Sequence, residues 1–321
     1  MKLNKLSANF TPLNEGIIFS INTENEVPTN LIVEIIDAKS NEIVATQQLH
    51  NATTATVNIA PYIACFSGYA PTSLRQTAFM EAPTATYKIR INDIESEAVV
   101  VSVNRTKIDT KPTGITALPL SRRITRHAND ELMIVSEAGK TIYAEIVADN
   151  GETLHFEYTP TTEASILAIS PDDFDSVVKT FDVALYCEGE AFCTLHYSIT
   201  TPLKTATRLA WISDNGTIER YTFPVSHKAK RSAEKRTITT QEGVVAARCN
   251  AKQTTSLCSR FESRATIEAL AQIASAPKVW IEQGEGWRLV EVIELQTEYN
   301  LFDEPSHLHL DICLWKKEVA L

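Results

Sequence analysis

The chain alternates between apolar and polar residues with a period of two. In TATYKIRIND (84–93), Tyr87, Ile89 and Ile91 are separated by Lys88 and Arg90 and followed by Asn92. The same pattern occurs in LIVEIID (31–37), EIVATQQL (42–49), TATVNIAP (54–61) and EAVVVSVN (97–104). Successive side chains on a strand point to opposite faces, so such runs put one face in a core and the other in water. Asn, Asp, Ser and Pro punctuate the runs, as turns require. The chain is expected to be mainly β.

The first block recurs. VEIIDAKSNEIV, from Val33, resembles AEIVADNGETLH, from Ala144, and TVNIAPYI (56–63) resembles LAISPDDF (167–174). Both copies read strand, polar turn, strand, then a strand ending near a proline. We expect two immunoglobulin-like β-sandwich-type domains in series, over 1–105 and 127–203. Residues 106–126 read as a linker packed along a neighbour, because they hold Pro112, Gly114 and Pro119 and end in Arg122, Arg123 and Arg126. The second domain finishes with the hairpin KTFDVALYCEGEAFCTLHYSIT (179–200) and stops at Pro202.

The remainder, 204–321, is expected to be a β-rich α+β domain with one helix, over 263–276. It opens with RLAWISDNGTIERYTFP (208–224), in which Asn215-Gly216 suits a two-residue type I′ turn. That register sets Trp211 opposite Arg220, a cation–π pair worth ~0.5–1 kcal/mol at an exposed site, and Ala210 opposite Tyr221. The polar stretch 226–243 reads as a solvated, mobile loop. In the helix, Ile267, Leu270, Ala271 and Ile273 recur at helical spacing, Ser263 is a suitable N-cap and Pro277 a stop. A hairpin over 278–295 turns at Gly284–Gly286, and the last strand is HLHLDICLW (307–315).

Few features carry chemistry. With 10 Gly, the chain lacks phosphate-binding glycine loops, and its net charge of −10 disfavours nucleic acid. No apolar run is long enough to span a membrane, and the N-terminus lacks a signal pattern. The six cysteines, Cys65, Cys187, Cys193, Cys249, Cys258 and Cys313, fit no zinc spacing and read as buried thiols. Cys187 and Cys193 flank a tight turn and could face each other. Asp172, Asp173 and Asp175 could suggest calcium, but Ser170-Pro171-Asp172 reads better as a helix cap. His307 and His309 share a strand face, yet a third metal ligand is not identifiable. No cofactor, metal or enzymatic activity is expected.

All four tryptophans, Trp211, Trp280, Trp287 and Trp315, lie in the third block. They read as core, with Trp280 and Trp287 in a small core around the helix and a glycan platform as the alternative. Lys228, Lys230, Arg231, Lys235 and Arg236 form a basic run in an acidic protein. Its sharper reading is docking onto an acidic partner surface, or a phosphate contact.

Residues Trp211, Ile212, Ser213, Gly216, Glu219, Tyr221, Thr222 and Phe223, with Ser275, Ala276, Pro277, Val279 and Trp280 further on, resemble a recurrent element in structural proteins of Bacteroidetes phages and prophages. The resemblance covers the last third of the chain, apart from the 226–243 insertion. It implies a non-catalytic tail- or baseplate-type component that forms homo-oligomers and joins other virion proteins. Such a protein would assemble in the cytoplasm and reside in a virion or tail-like particle. Trp211, Arg220, Tyr221, Trp287 and the five basic residues are the expected interaction surface. The alternative is a carbohydrate- or protein-binding, adhesin-like module.

Overall fold

The computed structural model describes residues 1–8, 11–12, 16–24, 27–63, 70–102, 111–241, 243–284, 286–297 and 304–315. The protein is mainly β, as the alternation predicts. The first stretch supplies β1 (Lys2–Lys5), β2 (Thr11–Pro12), β3 (Ile18–Asn22), β4 (Thr29–Asp37), β5 (Ile43–Ala52), β6 (Thr54–Asn58), a short helix α1 (Ala60–Ile63), β7 (Ala78–Glu81), β8 (Thr84–Ile91), β9 (Ile94–Glu95) and β10 (Val99–Ser102). Then come β11 (Thr113–Ile115), β12 (Ser121–Thr125), β13 (Asp130–Val135), β14 (Ile142–Ala148), β15 (Thr153–Tyr158), β16 (Ala164–Ile169), β17 (Thr180–Cys187) and β18 (Glu190–Thr200). The last stretch supplies β19 (Thr207–Ile212), β20 (Ile218–Phe223), β21 (Val225–Thr240), β22 (Gly243–Cys258), α2 (Arg264–Ala271), β23 (Val279–Gln283), β24 (Gly286–Thr297) and β25 (Leu308–Trp315).

Two sheets, ordered β1-β3-β6 and β2-β10-β8-β4-β5, with β9 beside β8, enclose the first core. Phe19, Ile21 and Val57 meet Val33, Ile35, Tyr87, Ile89 and Val101 there. The alternation along β8 works as expected. Tyr87, Ile89 and Ile91 are buried, while Arg90 stays partly exposed, with its Nε 2.6 Å from Oε2 of Glu34, its partner on β4.

The second pair of sheets is ordered β11-β13-β16-β7 and β12-β18-β17-β14-β15. The strand orders of the two sandwiches correspond, including a parallel edge strand in each: β2 beside β10, and β12 beside β18. The repeated sequence maps onto equivalent places. Hairpins β4–β5 and β14–β15 match, and β6 and β16 each lead into a short helix beginning near Pro61 or Pro171. At the second of these, Ser170 Oγ accepts from the Asp172 amide, so the capping reading of the aspartates holds.

One strand breaks the correspondence. β7 lies between β6 and β8 in sequence, yet it pairs antiparallel with β16 of the second sandwich, with Phe79 opposite Leu167. The expected linker also differs. Its residues 113–115 and 121–125 are β11 and β12, because Ile115 and Ile124 have cores to fill. Residues 106–110 of that linker lie outside the described ones.

The third unit is one seven-stranded sheet, ordered β20-β19-β23-β24-β25-β22-β21. On one face it packs α2, where Ile267, Leu270 and Ile273 meet Trp211, Phe223 and Ile312. Ser263 caps α2 through the Thr266 amide, and a 3₁₀ turn over Gln272–Ala274 completes the expected helix. The sheet's other face packs on the second sandwich, where Ala210, Ile212 and Trp280 meet Met133, Val135 and Ile166. Every residue of β13 and β16 is therefore buried: Leu132, Ile134, Leu167 and Ile169 point into the sandwich and their neighbours point at the third unit.

Three local expectations are corrected. The 208–224 hairpin has the three-residue loop Asp214-Asn215-Gly216, closed by Gly216 N to Ser213 O at 2.9 Å and Ser213 N to Thr217 O at 2.9 Å. Among its residues Gly216 has the left-handed φ, +78°, so the turn is type I with a bulge rather than type I′. The register moves by one, and Trp211 opposes Glu219 while Ala210 opposes Arg220. Trp280 and Trp287 face the second sandwich rather than the helix, where Trp211 sits instead, because alternation sends neighbouring side chains to opposite faces. Finally, the described residues of 226–243 belong to the long hairpin β21–β22, not to a loop.

Candidate functional site

Two features stand out: a buried polar seam where the Thr72 segment of the first stretch meets the second sandwich and the third unit, and the β21–β22 arm.

The seam centres on the backbone of Thr72, in the excursion that carries β7 to the second sandwich. The Thr72 amide donates to Glu131 Oε1 (2.7 Å), and its carbonyl accepts from Arg220 (2.9 Å), Trp287 Nε1 (3.2 Å) and Asn129 Nδ2 (3.3 Å). The backbone of one residue from the first stretch thus binds side chains of the other two. Arg220 also pairs with Glu131, both almost fully buried, and lies over the Trp287 ring at 5.2 Å, with Arg208 at 5.5 Å. Burial, reinforced by the neighbouring Arg220 charge, lowers the Arg208 pKa to about 10. Burial raises the Glu131 carboxyl, and Arg220 opposes that rise.

A second cluster adjoins it. Glu219 accepts from Thr217 Oγ1 (2.6 Å), the Ala117 amide (2.7 Å) and Thr116 Oγ1 (2.8 Å). Arg122 reaches Asp130 at 3.2 Å, and Asp130 accepts from the Tyr197 hydroxyl at 2.8 Å. Burial, with Asp130 alongside, raises the Tyr197 phenol well above its ordinary value, so it stays a neutral donor.

Next to this cluster a cleft of about 670 Å³ opens between β12 and the start of α2, lined in part by Arg122, Arg123, Tyr221, Glu262 and Arg264. Arg123 pairs with Glu262 at 3.1 Å, and Tyr221 donates to Glu262 at 2.9 Å while accepting from the Arg260 amide at 3.1 Å. Arg264 pairs with Glu268 at 2.9 Å. These cations and carboxylates neutralise one another.

The expected interaction surface therefore divides. Trp211 is wholly buried and Arg220 nearly so; Tyr221 and Trp287 are half-buried. The structure gathers Arg220 and Trp287 in the seam, with Tyr221 at the cleft and Trp211 under the helix, so these four bind the chain to itself. A sequence signal for the seam exists: Asp130-Glu131 opens a strand that is otherwise apolar, and Glu219-Arg220 interrupts another.

The basic residues belong to the arm. Lys230 and Arg231 are exposed on β21; Lys228, Lys235 and Arg236 sit on the same strand, with side chains outside the described residues. Each arm strand has 16 residues, a span of roughly 50 Å. Its base joins the sheet, since residues 252–258 of β22 pair with β25. Beyond Ala233↔Ala251, β21 and β22 pair with each other alone among the described strands. The hairpin carries seven Lys or Arg against two Glu, in a chain of net charge −10.

Cys187 pairs with Glu190 and Cys193 with Leu185, so the two thiols do not oppose each other, and both are free. Cys65 lies outside the described residues, as do the side chains of Cys249 and Trp315. The rings of His307 and His309 share a face as expected, 4.8 Å apart, and Cys258 is the cross-strand partner of His309. No helix among the described residues is long and apolar enough to cross a membrane. Comparison with known protein families and with curated proteins finds no match to this chain.

Proposed function

We propose that this protein is a non-catalytic assembly component, of the phage or prophage tail or baseplate type, that works by oligomerisation through its arm. The carrying observation is the outer part of the β21–β22 ribbon, which beyond Ala233↔Ala251 leaves its sheet and pairs with no further described strand along either edge. A two-stranded hairpin alone is marginally stable in water, and its open edges are templates for pairing. Its excess of cations fits the acidic body of a second copy. Contact between an arm and a different surface on the next copy is heterologous, and it generates closed rings or stacks. The resemblance carried by Trp211 to Phe223 and Ser275 to Trp280 supports the same reading, as does a seam in which the Thr72 backbone is bonded to side chains of the second sandwich and the third unit. The tryptophan-based glycan platform gains no support from Trp211, Trp280 and Trp287, which are engaged in packing.

The test replaces residues 233–251 with Asn-Gly, a two-residue turn that joins the register partners Ser232 and Lys252. Sedimentation and electron microscopy of the full chain should show oligomers that weaken as salt rises. The shortened chain should be monomeric with an unchanged melting temperature. Identical oligomeric states for the two proteins would refute the proposal.

A further inference from the structure

At the root of the arm, β22 and β25 bring three metal-ligating side chains together. Cys258, the last residue of β22, is directly opposite His309. The next pair outward, Ser259 and Leu308, is joined by Ser259 N to Leu308 O at 2.9 Å and Leu308 N to Ser259 Oγ at 2.9 Å. Bonded and non-bonded pairs alternate in an antiparallel ladder, so Cys258 and His309 form a non-bonded pair, the kind whose side chains approach most closely. His307 lies two residues before His309 and therefore on the same face. The candidate ligand atoms of Cys258, His307 and His309 all lie within 4.8 Å of one another.

We propose that Cys258, His307 and His309 form a three-ligand site for a zinc-like divalent ion, with the fourth position open to solvent. Tetrahedral zinc with ordinary Zn–S and Zn–N bonds holds its ligand atoms ~3.3–3.8 Å apart. Closing from 4.8 Å needs a shift of about an ångström, which is within the reach of a change of side-chain torsion. One thiolate and two imidazoles suit zinc and discriminate against magnesium and calcium, which take oxygen ligands. Phe261 stacks edge-on against His307, with ring centroids 5.0 Å apart, and holds that ring's orientation. The Cys258 thiol, 3.4 Å from the Ser259 carbonyl, releases its proton to solvent as the sulfur–metal bond forms. The ion would staple the arm's inner strand to the neighbouring strand at the point where the arm leaves the body. The inference stands independently of the assembly reading.

The experiment titrates the reduced, chelator-treated full chain with Co²⁺ and Zn²⁺. One equivalent of Co²⁺ should give a tetrahedral visible spectrum with a thiolate-to-metal charge-transfer band, and Zn²⁺ should displace it and raise the melting temperature. Cys258→Ser should abolish the charge-transfer band. His307→Ala and His309→Gln should each weaken binding at least tenfold; His309 is exposed, so its variant keeps the fold. The arm-shortened chain retains all three ligands and should bind as the full chain does, which separates this result from assembly. A charge-transfer band that persists in Cys258→Ser, unchanged affinity in both histidine variants, or an equal thermal shift with Mg²⁺ would overturn the site.

Discussion

Arg220 and Glu131 show what the buried seam demands of single residues. Removing both charges from water is costly, and their mutual attraction with the contacts at Thr72 offsets that cost. Losing one partner leaves the other charge stranded. Arg220→Met should lower stability by about 3–5 kcal/mol in urea unfolding. The double variant Arg220→Met/Glu131→Gln should recover much of that, because the side-chain amide introduced at position 131 is neutral and its oxygen still accepts from the Thr72 N–H. A double variant no more stable than the single one would show that the pair is not the cause. Arg220 also shows where reading from sequence fails. Its place in the hairpin was predictable, but a register set one residue away paired it with Trp211. A type I turn with a bulge and a type I′ turn share the Asn-Gly signature, and the hydrogen bonds of Ser213 decide between them.

At the scale of elements, the β7 insertion depends on Glu81. This carboxylate accepts from Thr162 Oγ1 (2.6 Å), Thr161 Oγ1 (2.7 Å) and the Thr161 amide (2.8 Å). Burial raises its pKa, but the hydrogen bonds of Thr162, Thr161 and Tyr158 together outweigh it and bring the pKa to about 2, from 4.5. A carboxyl depressed in the folded state stabilises above its unfolded pKa. The contribution should be complete above pH 4.5 and fade as pH falls toward 2, with a modest size because Glu81 is exposed. Glu81→Gln should flatten this acid dependence in thermal melts; an unchanged slope would assign it to other groups. Most elements were legible from the chain. Period-two runs marked the strands, Ser263 and Pro277 bracketed the helix, and the duplicated Val33 and Ala144 blocks became hairpins in corresponding sheets. The arm was not, because its Lys and Arg read as a solvated loop although Thr237–Thr240 and Val244–Val245 are β-branched. Nor was the Cys258 cluster, because Cys258 lies far in sequence from His307 and His309 and meets them only through the β22–β25 register.

On the scale of the whole molecule, the units are interlocked rather than strung in a row. A fragment of residues 106–321 lacks β7 and Thr72, so β16 keeps an open edge and Arg220 and Trp287 lose a carbonyl. It should melt below the full chain, and a synthetic peptide of residues 70–83 should raise its melting temperature. A fragment that melts with the full chain and ignores the peptide would show that the crossing strand is dispensable. The crossing also matters during translation. The first sandwich can close its own core as it leaves the ribosome, but β7 emerges long before β16 exists to receive it. Until the second sandwich is synthesised, Phe79 and Met80 sit on a dangling strand, a vulnerable interval that a nascent-chain chaperone would be well placed to cover.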